Sequence, residues 1–279
     1  MSYKTILVYI DDSRHVTKRI AAAAALAIAN NAHLVGMACS GISRFVYQNG
    51  AMGLASAVSP DDIDQIYARA NRMLLVFDEM AERLGVRSYE KRLVDDEAAG
   101  ALALHARYAD MVVIGQTDRD ETLSATLTDL PEYVTLNCAR PVLVIPYAQT
   151  FDNIGHNILV AWDGSPEATR AVTASIPFLQ LAKTVTIALF NVLPADDVHG
   201  QEAGADIALY LARHDVKISV EQFYRVNQVG EALLSLAAER DIDLIVMGCF
   251  GHSRFREVLM GGVTLTMLKA MTAPLLLSH

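Results

Sequence analysis

Short, nearly continuous apolar runs recur along the chain, each separated from the next by a loop or a longer stretch of helical spacing. In the first half the runs are Lys4–Ile10, Ala32–Cys39, Val86–Val94, Asp110–Gly115 and Pro141–Ile145. In the second half they are His156–Trp162, Thr184–Val192, Val216–Val226, Asp243–Gly248 and Pro274–Leu277. Runs so rich in Val, Ile and Leu predict strands buried on both faces, hence parallel strands with helices on either side. The stretches at about 14–30 and 166–181 are rich in Ala and Leu and predict helices packed on the sheet. The expected fold is α/β: two five-stranded, doubly wound parallel-sheet domains in tandem. The expected domains are residues 1–147 and 155–279, divided in the polar stretch Tyr147–Gly155.

The two halves repeat one another. Lys4 to Ser13 matches His156 to Ser165, each an apolar strand that stops at an aspartate, Asp11 or Asp163. In the second copy Ser165-Pro166-Glu167 is a helix start, with a capping hydroxyl, a proline at the first helical position and an acid in the first turn. Gly115 to Pro141 spans 26 residues, as does Gly248 to Pro274, so the two loops align position by position. In that alignment Gly251, Gly261 and Gly262 of the second loop correspond to Asp118, Thr128 and Asp129 of the first.

A strand that ends on glycine and leads through a glycine-bearing loop into a helix can turn backbone N–H groups toward an anion. The second loop has that form and adds His252, Arg254 and Arg256, with a helix expected from about Gly262. The first carries Asp118, Asp120, Glu121 and Asp129 against Arg119. Facing a phosphate, each of those acids would repel by roughly 1 kcal/mol or more. The C-terminal half is therefore the expected phosphate site.

Composition narrows the classes. Hydrophobic residues make up 52% and charged residues 20% of 279, the balance of a globular protein with a large core. A net charge of −9 without a basic run argues against nucleic acid. Cys39, Cys138 and Cys249 lie far apart, mostly in apolar strands, without a CxxC pair, and read as buried free thiols of a reducing compartment. Strand pattern begins within a few residues of Met1, so no signal peptide is expected. The longest apolar stretch, Ile20–Ala29, is about half a membrane span. A cytoplasmic protein with small-molecule or protein partners is expected. There is no GxxxxGK[ST] loop, no GxSxG elbow and no paired carboxylates for two metals, so no catalytic apparatus is read.

Gly248-x2-Gly251-x9-Gly261, the strand-end Asp163 and the tandem arrangement resemble the universal stress proteins over essentially the whole chain. The resemblance implies a Rossmann-like fold of the adenine nucleotide alpha hydrolase type and a non-catalytic protein of the stress response. It implies ATP or a related adenine nucleotide as regulatory ligand, with Mg as an accompanying ion. Carried over, it assigns Asp163 and Val192 to the base. It places Met247, Gly248, Gly251, Gly261, Gly262 and Val263 around ribose and phosphates, with Ala161 and His252 at the rim. ATP-binding members usually carry Ser or Thr directly after the last glycine, where this chain has Gly262; Thr264 offers a hydroxyl in the same helical turn. The missing hydrogen bond would cost about 0.5–1.5 kcal/mol. The resemblance also implies that the last strand of each half pairs across domains or subunits, giving a homodimer or an intramolecular pseudo-dimer.

Each assignment has a plainer counterpart. Asp163 also fits a helix-capping aspartate, and Asp11 fits that role better. His252 reads as a solvated loop residue, Arg254 and Arg256 as a polar helix face, and Trp162 as core packing within a strand. The apolar, glycine-bearing segment Ser40–Ser59, before a helix capped by Ser59-Pro60-Asp61-Asp62, reads as a lid, an interdomain or dimer contact, or a plug in the first domain. The alternative function is a nucleotide-independent interaction protein with two vestigial sites. An adenylate-forming enzyme fits the fold but lacks a signature such as HxGH.

Overall fold

The computed structural model describes residues 2–41, 60–118, 120–121, 130–148, 153–192, 202–251 and 262–279. They form two compact units, one within Tyr3–Arg140 and one within Pro141–His279, the latter joined by Ser2.

In the first unit the strands are β1 (Thr5–Tyr9), β2 (His33–Cys39), β3 (Tyr89–Val94) and β4 (Met111–Gly115). They lie in the order β3-β2-β1-β4, with β1–β2, β1–β4 and β2–β3 all parallel. The helices are α1 (Val16–Asn30), α2 (Pro60–Leu84), α3 (Ala98–His105) and α4 (Leu130–Asn137). Helix α1 buries Ala22, Ala23, Ala24 and Ala27, small side chains that bring it close to the sheet, and ends on Asn31 in the left-handed region. Its start at Val16 has no side-chain cap.

The second unit contains β5 (Val142–Ile145), β6 (Asn157–Ala161), β7 (Thr184–Phe190), β8 (Ser219–Phe223), β9 (Leu244–Gly248) and β10 (Leu275–Ser278). Its order is β5-β10-β9-β6-β7-β8. All neighbours here are parallel except β5 and β10, which run antiparallel with Val144 opposite Leu275. Its helices are α5 (Pro166–Leu179), α6 (Ala205–Ala212), α7 (Val229–Glu239) and α8 (Val263–Ala270).

The compact units thus hold four and six strands. Val142–Ile145, the closing run of the first repeat, is buried beside β10 in the second unit, with Val142–Val144 paired to Leu275–Leu277. A short apolar strand left at an edge is a liability, and this pairing covers it. Leu244–Val246 and Met111–Ile114 are completely inaccessible, as expected for strands covered on both faces.

Local corrections follow from where strands end. Trp162 lies one residue past β6 and is only half-buried, so it is not a strand core residue. Cys138 follows α4, Cys249 follows β9 and Cys39 ends β2; all three are free thiols. No helix among the described residues is long and apolar enough to cross a membrane.

Candidate functional site

In both units the strand order reverses beside the first strand of the repeat, between β1 and β4 and between β6 and β9. The carboxyl ends of those strands flank the crevice where doubly wound sheets take ligands.

In the second unit Ala161 ends β6 opposite Met247, and the Trp162 N–H donates to the Ala188 carbonyl at 3.0 Å, which keeps the β6 end against β7. Asp163 is exposed, and its Oδ1 accepts the Ser165 N–H at 3.0 Å. Ser165 caps α5, its Oγ accepting the Ala168 N–H at 3.1 Å. Asp163 thus orders the turn into α5 while its carboxylate stays at the surface. Val192 is buried just past β7, behind Asn191, whose side chain bonds both the carbonyl and the N–H of Val226.

Gly248 ends β9 under the first turn of α5. A Cβ there would collide with the Ala168 N and lie 2.7 Å from the Glu167 carbonyl carbon, so only glycine admits this approach. Cys249 donates its N–H to the Ser278 carbonyl at 3.0 Å, and the Phe250 N–H donates to Thr264 Oγ1 at 3.4 Å. Gly251 emerges at the surface, where a Cβ would lie 2.8 Å from Glu167 Oε2. Gly262 is the N-cap residue of α8 and offers no side-chain hydrogen bond; Val263 begins the helix, half-buried.

The described part therefore brings Ala161, Asp163, Val192, Met247, Gly248 and Gly251 to one end of three adjacent strands. Thr264 is the second residue of α8. It is 2% exposed, and its hydroxyl oxygen accepts a loop N–H, so it ties the loop to α8. His252 and Gly261, together with Arg254, Arg256 and residues 42–59 of the apolar segment, lie outside the described residues.

Glu167 was not anticipated. It reaches Gly251 from α5 and is held by Arg170 Nη2 at 2.7 Å, while Arg170 Nε donates to the His279 carbonyl at 2.9 Å. A carboxylate thus stands at the mouth of the loop.

The first unit is built differently at the same level. Asp118, the counterpart of Gly251, is 5% exposed and does not face a ligand. Its Oδ2 accepts from Arg14 Nη2 at 2.5 Å and lies 2.9 Å from His15 Nε2, and its Oδ1 accepts the Asp120 N–H at 3.0 Å. Burial alone would raise its pKa. The hydrogen bonds from His15, Arg14 and the Asp120 backbone, with the Arg14 charge, hold it down to about 2. Glu121 accepts the Arg14 N–H at 2.7 Å. Asp118 and Glu121, expected to repel phosphate, are internal partners of the α1 start.

His15, Asp118 and Glu121 could offer ligand atoms to a metal within 4.8 Å of one another. Arg14 already supplies positive charge at the same Asp118 oxygen.

Arg19, 4% exposed, is the other unforeseen residue. Its Nη2 lies 2.6 Å from Asp11 Oδ1, and its guanidinium fills the space where a side chain on Gly115 would stand. Asp11 is desolvated, which works against ionisation, but the Arg19 charge and hydrogen bonds from Ser13 and Arg19 prevail and keep its pKa below the ordinary carboxylate range. Arg19 directly precedes the apolar run Ile20–Ala29 and follows Lys18, where a solvated charge is the ordinary reading, so the sequence carried no signal of its burial.

Beside this pair the first unit contains a cavity of about 380 Å³, reached by Asp11, Asp12, Ser40, Arg69, Met73 and Glu97 among others. Arg69 forms an ion pair with Asp12. Burial, with the Asp96 and Glu97 carboxylates adding to it, pushes the Cys39 thiol up to about 12, so it stays protonated.

These features have relatives. The model of the universal stress protein family matches residues 2–146 and 155–279. The universal stress protein Slr1230 of Synechocystis sp. (strain ATCC 27184 / PCC 6803 / Kazusa) is 26% identical over 181 residues, covering 60% of this chain and 57% of that protein. The chain thus spans little more than half the length of that relative. Among solved structures, a universal stress protein from Archaeoglobus fulgidus DSM 4304 shares the fold with a TM-score of 0.76 at 14% identity, covering 98% of this chain and 95% of its own. A universal stress protein from Archaeoglobus fulgidus was solved in complex with dAMP; it covers 52% of this chain and 99% of its own, at 17% identity and a TM-score of 0.37. With both halves matched by one family model and the fold shared along nearly the full length, this chain belongs to the universal stress protein family.

Proposed function

We propose that the protein binds an adenine nucleotide, ATP or a close relative, at the carboxyl ends of β6, β7 and β9, as a regulatory ligand and not as a substrate. The observation that carries this reading is the convergence of Asp163, Val192, Met247, Gly248 and Gly251 at one end of three adjacent parallel strands. Gly248 lets α5 pack closely on the end of β9, and Gly251 carries its backbone to the surface, where a ligand could approach it. Asp163 and Val192 would hold the base. Gly251 and the half-buried Gly262 and Val263 would flank the phosphates, where the α8 N-terminus favours negative charge by up to about 1 kcal/mol. His252 and Gly261 complete the proposed contacts, with Ala161 at the rim. The carboxylate of Glu167 beside Gly251 makes Mg a fitting companion of a polyphosphate here. Domains 1–147 and 155–279 and a cytoplasmic setting belong to the same proposal.

One observation favours a second reading, a nucleotide-independent interaction protein. Glu167 and the Phe250–Thr264 bond close the start of the loop with the chain's own groups. Mass spectrometry of ligand released by denaturing the purified protein separates the two. Nucleotide near one per chain supports binding; none released, together with no uptake at millimolar ATP, supports the interaction protein.

A further inference from the structure

The cavity of about 380 Å³ in the first unit falls within the size of small-molecule sites, roughly 300–1,000 Å³. Its apolar part comes from Ile66, Ala70 and Met73 of α2 with Ile10 and Ala38 at the strand ends. Its polar part is unbalanced. Asp11, Asp12 and Glu97 reach it, against Arg69 alone among the described cations that line it. Arg69 is committed to Asp12 and Arg19 to Asp11, whereas Glu97 has no ion-pair partner among the described residues. Asp96 adds a further carboxylate close enough to act on Cys39.

A phosphorylated ligand does not suit this end of the unit. At the β4 end the space above Gly115 is filled by Arg19, and Asp118 occupies the anion-holding groups of Arg14 and His15. The chain has supplied its own anion there. What remains beside it is a part-apolar, part-polar cavity with one carboxylate, Glu97, that no described cation pairs.

We propose that this cavity binds a compact organic cation, a molecule with an aromatic or alkyl body and one protonated amine, with the body against α2 and the amine toward Glu97. The site is independent of the nucleotide reading of the second unit.

Isothermal titration of the full chain with tyramine, its uncharged analogue 4-ethylphenol, and AMP tests the proposal. Repeating the tyramine and 4-ethylphenol titrations on Glu97→Gln, which removes the unpaired carboxylate, and on Asp12→Asn, which frees Arg69 as a competing cation, places the charge. Glu97 is exposed and precedes α3, so its amide variant should keep the fold, which a thermal melt verifies. The expected result is one tyramine per chain, with 4-ethylphenol weaker by about three- to tenfold and that preference reduced in both variants. No tyramine binding, equal binding of the neutral analogue, or an unchanged preference in both variants would overturn it. Displacement of tyramine by AMP, one for one, would also overturn it and return the cavity to nucleotide.

Discussion

Asp118 shows how a single residue changes the meaning of a loop. Read along the chain, it is one of several acids that spoil a phosphate site. In the fold it is the anion that Arg14, His15 and the Asp120 N–H surround. The clue lay in the aligned pairs: His15 and Asp118 in one repeat stand where Glu167 and Gly251 stand in the other. Single positions could not reveal it, because the partners lie about a hundred residues apart. With its pKa lowered to about 2, ionised Asp118 stabilises the fold above the unfolded carboxylate range, near pH 4, and that contribution fades as pH falls toward 2. Asp118→Asn should therefore cost about 1–2 kcal/mol at pH 7 and only a small part of that near pH 2, where Asp118 is half protonated, read from urea melts at both values. A loss independent of pH would contradict the pairing. Thr264→Val should lose roughly 1 kcal/mol of stability through the Phe250 N–H while leaving nucleotide affinity within about twofold. A large drop in affinity at constant stability would restore Thr264 to the phosphate site.

At the scale of elements, every strand expected from the apolar runs is present, but the ends are shorter. The run Val216–Val226 yields only Ser219–Phe223, because β8 is the last strand in the sheet order and its polar residues have a neighbour on one side alone. The helix starts divide the two repeats more than their sequences suggest. Ser165 caps α5 through its hydroxyl, whereas α1 begins without a side-chain cap, and Arg14 and His15 just before it bond Glu121 and Asp118 instead. Ser165→Ala should destabilise the protein by about 1 kcal/mol in chemical denaturation, and Ser13→Ala by distinctly less. Equal losses would mean that the two starts are built alike. Glu167 and Arg19 sit on these helices and were illegible as site residues, since a charged side chain on a helix is usually solvated and only the close approach of Gly248 and Gly115 turns them inward.

At the scale of the whole molecule, the tandem organisation and the doubly wound fold were legible, because repeat spacing and strand composition carry them directly. The pairing of the two closing runs, β5 with β10, was implied by the family resemblance alone, since nothing local states which edge a closing strand will cover. The antiparallel pairing of β5 with β10 predicts a difference between two fragments. Residues 141–279 should remain monomeric in size-exclusion chromatography, whereas residues 155–279, with the β10 edge open, should self-associate; identical behaviour would show that β5 is dispensable. The central claim, one adenine-nucleotide site in the second unit, is tested most directly by calorimetric titration of ATP with Mg into the full chain and into Gly251→Asp. The account predicts one site per chain in the parent protein and its loss in the variant, with the fold unchanged by circular dichroism. Binding that survives Gly251→Asp, or no binding to the parent at millimolar ATP, would contradict it.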